Sequence, residues 1–158
     1  MKKAIYPGTF DPPTYGHINV IERIACIFET VTILIAANPS KNRLFSKQER
    51  HDFMSRLTER FSNVIVDTWD GLVVDYARQK DIRVIVRGVR ALGDFNHEFE
   101  LAMLNKGLNP EIETLFIPTD PRYFVLRSST IKEIVSFGGD VSNLVPDFIE
   151  QELRKKLL

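Results

Sequence analysis

Five short apolar segments rich in β-branched residues alternate with helical patterns, and this alternation is what most constrains the fold of the 158-residue chain. The segments are residues 4–6, 31–37, 64–66, 84–86 and 114–117. The second is a continuous run of apolar and β-branched residues, which is typical of a strand covered on both faces. The alternation predicts an α/β, Rossmann-like doubly wound domain with a five-stranded parallel sheet, right-handed crossovers and helices on both faces.

Apolar residues at helical spacing predict the elements between and after the strands. The first helix is predicted over residues 17–29, and Ser46 with Glu49 has the spacing of a capping box that opens the second. Asp94 is placed to cap a later helix, which Gly107 would end. The remaining helices are predicted over residues 71–79, 95–106, 129–137 and 147–157. The chain has no repeat or linker, which predicts a single domain over residues 1–158.

Composition excludes several classes of protein. Lys plus Arg and Asp plus Glu each number 21, and the net charge of zero argues against a general binder of nucleic acids or membrane surfaces. The single cysteine, Cys26, excludes an internal disulfide framework and favours a reducing compartment; it is interpreted as a small buried core residue. No stretch approaches the roughly 20 apolar residues of a membrane span, and no signal peptide is expected from residues 1–6, so the predicted location is the cytoplasm.

The loop after the first strand has the chemistry of an anion site. Within residues 6–17, YPGTFDPPTYGH, Gly8 lets the backbone approach a ligand or adopt an unusual φ, and Thr14 can cap the following helix. Free N–H groups and the positive end of the helix dipole attract phosphate there, and His17 can donate a hydrogen bond to it. The alternative is that these residues only shape a loop. Because Gly8, Thr14, Gly16 and His17 converge on one helix start, anion binding is favoured.

Three more segments place polar groups at the carboxyl ends of predicted strands or at a helix start. Arg87 and Arg90 flank Gly88 directly after the fourth strand, and arginine suits phosphate because its planar fork binds two oxygens. Lys41 follows the second strand, and the hydroxyl-rich residues 127–130 open the penultimate helix. Taken singly, each has an ordinary alternative as a solvated turn, a surface lysine or a helix cap.

Together these segments resemble the bacterial phosphopantetheine adenylyltransferases, over essentially the whole chain. Residues 8–17, which end in Thr14-Tyr15-Gly16-His17, resemble the T/H-x-G-H signature of the nucleotidylyltransferase superfamily, where it binds nucleoside triphosphates. Residues 87–95 and 38–41 point to this family within it. Two residues differ from the family pattern: Arg127 replaces a small hydroxyl residue, and Tyr15 is bulky for its position.

The resemblance implies transfer of the adenylyl group of ATP to 4′-phosphopantetheine, with 3′-dephospho-coenzyme A and pyrophosphate as products. The acceptor phosphate would attack the α-phosphorus in line, and His17 would stabilise the transition state. The implied contacts to the acceptor are Thr9, Lys41, Val73 and Arg87. The implied contacts to ATP are Thr9, Phe10, His17, Gly88, Val89, Arg90, Glu98, Tyr123, Phe124, Val125, Leu126, Arg127, Ser128 and Ser129.

The resemblance also implies Mg²⁺ and a homohexamer. The sequence has no compact acidic cluster, so no protein ligand for a metal is predicted and Mg²⁺ would arrive on the triphosphate. Three alternatives stay open at this point. They are another nucleotidylyltransferase (for cytidylyl transfer or for nicotinamide mononucleotide), a fragment of an aminoacyl-tRNA synthetase, and a non-catalytic nucleotide-binding module.

Overall fold

The computed structural model describes residues 2–36, 42–123 and 127–158. Its centre is a parallel five-stranded sheet in the order β3-β2-β1-β4-β5, which confirms the predicted sheet. The strands are β1 Lys3–Gly8, β2 Thr30–Ala36, β3 Val64–Trp69, β4 Val84–Val89 and β5 Glu113–Pro118. The chain moves outward from β1 to β3 and then returns to the other side of β1. The switch in strand order therefore lies between β1 and β4, where their carboxyl ends open a crevice.

Helices follow the strands as the alternation predicts. They are α1 Tyr15–Ala25, α2 Lys47–Thr58, α3 Val73–Gln79, α4 Leu92–Leu108, α5 Ser128–Ser136 and α6 Asp147–Leu157, with a 3₁₀ turn at Pro121–Tyr123. The capping box of α2 is confirmed, because Ser46 accepts from the Glu49 N–H and Glu49 accepts from the Ser46 N–H.

The bounds of α1 and α4 differ from the prediction for local reasons. α1 spans Tyr15–Ala25 rather than residues 17–29, because Thr14 caps it two residues early and Cys26 ends it. Asp94 does not cap α4: the helix already begins at Leu92, and Asp94 lies inside its first turn. Gly107 lies within the last turn of α4, which Asn109 ends.

Both faces of the sheet are covered. On one face α1 and α2 pack against Ala4, Ile33 and Val86; on the other, α3 packs against Ile5 and Leu34. α5 and α6 form a further apolar cluster beside α2, and Phe45 is one of its buried members. The prediction of a buried Cys26 is wrong: the side chain follows the last turn of α1 and is exposed.

Candidate active site

A cavity of about 540 Å³ lies at the carboxyl ends of β1 and β4, at the switch in strand order. It is also walled by the segment before α2 and by the first turns of α1 and α5. The structure brings most of the predicted site residues together here, namely Thr9, Phe10, His17, Arg87, Gly88, Arg90, Glu98, Arg127, Ser128 and Ser129. These residues come from distant parts of the sequence, so the fold is what makes them one site.

The start of α1 fixes the orientation of His17. Thr14 is the N-cap residue, and its Oγ1 accepts a hydrogen bond from the His17 backbone N–H at 3.3 Å. In return the Thr14 backbone N–H donates to His17 Nδ1 at 3.0 Å. Because Nδ1 is an acceptor, a neutral ring carries its proton on Nε2. The capping box therefore sets the tautomer and leaves Nε2–H as the donor available to a ligand.

The surroundings of His17 keep the ring neutral. Burial, reinforced by the positive charges of Arg90 and Arg87, lowers the pKa of His17 to about 4. The ring also packs edge-on against Phe10, with 5.0 Å between the ring centroids. At neutral pH the ring is thus a fixed hydrogen-bond donor and not a positive charge.

Phe10 is the buried residue against which the His17 ring packs. Its side chain is 1 % exposed, and its backbone has a φ of 50°, which is uncommon for a residue other than glycine. A Cβ atom on Gly8 would lie 2.7 Å from the Phe10 ring. The absence of a side chain at Gly8 is therefore required by packing within the loop itself.

Asp11 ties the loop to two other segments. Its carboxylate accepts from the backbone N–H groups of Leu44 at 3.1 Å and Phe45 at 2.9 Å, and from Lys132 Nζ at 2.9 Å. Burial alone would raise the pKa of Asp11, but the Lys132 ammonium and the two N–H groups together lower it below its ordinary value. The carboxylate stays ionised and joins the β1 loop to the segment before α2 and to α5.

A buried arginine braces the same loop. Arg50 in α2 is 3 % exposed, and its Nη1 donates to the Thr9 carbonyl oxygen at 2.8 Å. Its Nε donates to the carbonyl oxygens of Phe45 and Ser46. Thr9 itself lines the cavity, so Arg50 helps to hold a residue of the cavity wall in place.

The opposite wall carries Arg87 and Arg90, each paired with a carboxylate of α4. Arg87 binds Glu98 through two N–H groups, with Nη2 at 2.7 Å from Oε1, and its Nη1 donates to the Pro7 carbonyl oxygen at 2.8 Å. Arg90 Nε lies 2.8 Å from Asp94 Oδ2. Three of the five N–H groups of Arg87 are engaged within the protein, so a phosphate would meet the other two or replace Glu98.

Other predicted site residues do not line the cavity or lie outside the described residues. Val73 begins α3 and packs against the apolar cluster around Ile5, and Val89 ends β4. Tyr123 ends the 3₁₀ turn and packs beside α5 and α6. Lys41, Phe124, Val125 and Leu126 lie outside the described residues.

Sequence reasoning missed several polar residues of the cavity wall. They are Asp11, Asn42, Arg43, Asp94, Thr119 and Lys132. Asp11 and Asp94 lie inside the quoted motifs, where an acid beside a predicted phosphate site could have been matched with a nearby base. Lys132 gives no such signal, because its distance of 121 residues from Asp11 is closed only by folding.

The described residues form neither a membrane-spanning helix nor a cluster of metal ligands. None of the helices they form is long and apolar enough to cross a membrane. Between residues 2 and 158, apart from the two undescribed gaps, His, Cys, Asp and Glu form no group of three or more that could hold a metal ion. Asp11, Asp94 and Glu98 face the cavity, but each is paired with a cation.

Known proteins with similar sequences place the chain in a family. The family model described as Cytidylyltransferase-like matches residues 5–134. A phosphopantetheine adenylyltransferase of Caldanaerobacter subterraneus subsp. tengcongensis is 46% identical over 156 residues, which cover 99% of this chain and 98% of that protein. One from Dictyoglomus turgidum is 47% identical with the same coverage, and one from Clostridium tetani is 46% identical.

A solved structure confirms the fold. It is a Vibrio parahaemolyticus protein provisionally assigned as a nicotinate-nucleotide adenylyltransferase, and it covers 99% of this chain and 98% of its own at a TM-score of 0.72. At 20% identity the likeness extends to the fold alone. The sequence relatives carry the finer assignment, and the chain belongs to the phosphopantetheine adenylyltransferase family.

Proposed function

We propose that the chain transfers the adenylyl group of ATP to 4′-phosphopantetheine and releases pyrophosphate, forming 3′-dephospho-coenzyme A. The observation that carries the proposal is the neutral His17, whose Nε2–H is free to donate into a cavity flanked by Arg87 and Arg90. The names of the relatives supply the two substrates.

The proposed reaction needs no nucleophile from the protein. An oxygen of the acceptor phosphate attacks the α-phosphorus of ATP, a new P–O bond forms, and the bond from the α-phosphorus to the bridging oxygen breaks. That bridging oxygen leaves with the electron pair as part of pyrophosphate. The protein contributes alignment and donors for the developing charge, and the His17 Nε2–H is the proposed donor to the transferring group.

The start of α5 is the proposed site for phosphate oxygens of ATP. Arg127 is its N-cap residue and makes no side-chain capping bond, so the N–H groups of the first turn are open to an anion. Ser128 Oγ donates to the Pro12 carbonyl oxygen at 3.1 Å, which holds this turn against the β1 loop. Gly88, Arg90 and Ser129 complete the proposed ATP contacts at the cavity wall, and Val89, Glu98 and residues 123–126 stay predictions.

The acceptor phosphate is proposed to bind Arg87 and Lys41, with Thr9 between the two substrates. Arg87 stands at the carboxyl end of β4, and the segment that contains Lys41 follows β2. Loops after parallel strands meet at one edge of the sheet. Contact of the pantetheine arm with Val73 stays a prediction, because this residue does not line the cavity described above.

Mg²⁺ is proposed to enter as part of the substrate, bound to the triphosphate. The described cavity residues do not suit a resident metal, because Asp11, Asp94 and Glu98 are each matched to a Lys or Arg. The proposed reaction belongs to coenzyme A biosynthesis. A cytoplasmic setting is proposed with it, in keeping with a single unpaired cysteine.

A homohexamer is proposed from the family resemblance and is supported by an apolar face on α4. Leu92, Phe95, Phe99 and Met103 follow one side of this helix and are between 37% and 82% exposed. A stripe of this length is unusual for a free surface. Light scattering should give a mass about six times 18.2 kDa. Phe99→Asp should dissociate the assembly, and a monomeric parent protein would contradict the proposal.

The proposed reaction is tested by measuring pyrophosphate. With MgATP, we expect release only when 4′-phosphopantetheine is present, and none with pantetheine, which lacks the attacking phosphate. Replacing ATP by CTP tests nucleotide choice in the same assay. Release with nicotinamide mononucleotide as the acceptor, or without any acceptor, would contradict the proposal.

A further inference from the structure

Arg43 is a cavity residue that neither the sequence motifs nor the proposed mechanism uses. It lies between β2 and α2 and forms part of the cavity wall with Thr9, Asp11 and His17. Its Nε and Nη2 atoms are shielded from solvent, and no acceptor in the described part of the chain faces them. A guanidinium with two shielded, unbonded donors is costly, because such groups are normally hydrogen-bonded.

The other cations of the cavity wall are matched by carboxylates. Arg87 binds Glu98, Arg90 binds Asp94, and Lys132 binds Asp11. Even the largely exposed Arg127 lies 3.8 Å from Asp94. Arg43 has no carboxylate partner among residues 2–36, 42–123 and 127–158, although it lines the same cavity. Among the described cationic residues that line the cavity, Arg43 is therefore the one whose charge no carboxylate balances.

The charge around Arg43 increases the demand for an anion. Burial lowers the pKa of Arg50, and the positive charge of Arg43 lowers it further, so the two guanidinium groups repel each other. Arg50 is bonded to backbone carbonyl oxygens, which carry no formal charge. Asp11 is the carboxylate of this wall, and its oxygens already accept from Leu44, Phe45 and Lys132.

We propose that Arg43 binds a phosphate group of a substrate in this cavity and is a further determinant of substrate affinity. The inference deepens the proposed function and rests on it for the ligands. A dianionic phosphate offers the charge and the paired oxygens that a guanidinium fork fits. The phosphate has two sources, the triphosphate of ATP with its pyrophosphate product, and the phosphate monoester of 4′-phosphopantetheine.

The test compares Arg43→Met with Arg83→Met as the matched control. Met keeps most of the length of the side chain but removes its charge and its donors. Arg83 is 64% exposed, pairs with Glu111 at 3.7 Å and does not line the cavity. Isothermal titration of the full-length protein measures inorganic pyrophosphate, MgATP and 4′-phosphopantetheine. Adenosine and pantetheine, which lack phosphate, serve as the neutral probes.

We expect Arg43→Met to lower the affinity for at least one phosphate-bearing ligand by roughly tenfold or more, the usual effect of losing a charged hydrogen bond. Adenosine and pantetheine should bind as to the parent. Loss confined to pyrophosphate and MgATP assigns Arg43 to the triphosphate, whereas loss confined to phosphopantetheine assigns it to the acceptor. Loss of both supports a position between them. Arg43→Lys should restore affinity in part.

Thermal unfolding without ligand separates a binding role from a structural one. Removing unbonded, shielded donors should leave the melting temperature of Arg43→Met unchanged or higher than that of the parent. Unchanged affinity for all three phosphate-bearing ligands would overturn the proposal. A lowered melting temperature would also overturn it if adenosine and pantetheine lost as much affinity as the phosphate-bearing ligands. Pyrophosphate titration is independent of turnover, so a parent that fails to adenylate phosphopantetheine would overturn the proposed function but not this inference.

Discussion

The two walls of the cavity are built in different ways. The β1 wall is the loop after β1 with the start of α1, and the β4 wall is the end of β4 with the loop that follows it. The loop after β1 is held mainly by hydrogen bonds in which one partner is a backbone group. Thr14 Oγ1 accepts from the His17 N–H, Arg50 donates to the Thr9 carbonyl oxygen, and the Asp11 carboxylate accepts from two backbone N–H groups. In the loop after β4, Arg87 and Arg90 are instead held by the side chains of Glu98 and Asp94. Backbone contacts leave little freedom, whereas an ion pair can exchange one anion for another.

This difference separates two tasks. The β1 wall presents a donor, His17, whose orientation is set by hydrogen bonds to Thr14 within the protein, and such preorganisation is what stabilisation of a transition state requires. The β4 wall keeps its arginines balanced by carboxylates of α4, so an incoming phosphate must compete with them. We therefore expect changes in the β1 wall to lower turnover or stability, and changes in the β4 wall to alter substrate affinity.

The largest effect is expected from His17→Ala. Loss of a preorganised donor should lower kcat by about 10²–10³, with ATP affinity nearly unchanged, because the donor acts mainly in the transition state. Steady-state kinetics and ATP titration measure the two quantities. His97→Ala, an exposed histidine on α4, is the control. A kcat within threefold of the parent would show that His17 serves only to cap α1.

Next in size is Asp11→Ala, which breaks the backbone ties of the β1 wall. Three donors lose their acceptor, and Lys132 keeps some contact with water, so we expect a loss of about 2–3 kcal/mol in the free energy of unfolding. Chemical denaturation measures it, with Asp52→Ala, an exposed carboxylate, as the control. Parent-like stability would mean that the loop is held without Asp11.

A change in the β4 wall should appear in acceptor affinity. Arg87→Ala should lower the affinity for 4′-phosphopantetheine by about 10- to 100-fold. The affinity for ATP should hardly change, because Arg90 is the arginine assigned to ATP. Arg87→Lys should restore part of the loss. Titration of each ligand decides the matter. Weaker ATP with unchanged phosphopantetheine would reverse the assignment of the two arginines.

The smallest effect is expected from Glu98→Gln, which sharpens the comparison. With the competing carboxylate gone, phosphopantetheine should bind a few-fold more tightly, about 0.5–1 kcal/mol. Glu100→Gln, on an exposed position of α4, is the control. Weaker ATP binding by the Glu98 variant would instead support a direct contact of Glu98 with the nucleotide.

The sheet and most of the helices could be predicted from the sequence, because runs of β-branched residues and apolar residues at helical spacing can be recognised within a short segment. The positions that failed depend on tertiary contacts. Asp94 has the type and place of a helix cap, yet the structure uses it as the partner of Arg90. Cys26 lies in an apolar stretch but comes directly after the last residue of α1, where its side chain is exposed while Phe28, two residues later, is buried.

The site was predictable where one motif holds the chemistry and not where the fold assembles it. Thr14 and His17 lie in one short motif, so the role of Thr14 as the helix cap and the place of His17 in the first turn could be inferred from the sequence. The pairing of Arg87 with Glu98 crosses from β4 to α4, and that of Asp11 with Lys132 spans most of the chain. No periodicity encodes those distances, and the uncompensated Arg43 becomes visible only when its neighbours are known.

The capping box at Thr14 also bears on how the reaction responds to acidity. The pKa of His17, about 4 in the folded chain, lies below the ordinary value of 6.5, so the neutral ring favours folding above about pH 6.5. That contribution falls as the pH drops toward 4, whereas His17 itself leaves the activity between pH 5 and 8 unchanged. The phosphates of the proposed substrates do titrate in this range, since a phosphate monoester such as the acceptor loses its second proton near pH 6. A fall in rate on acidification would then report the protonation of the substrate. The lower pH limit of the activity would be set by the substrate and not by a residue of the enzyme.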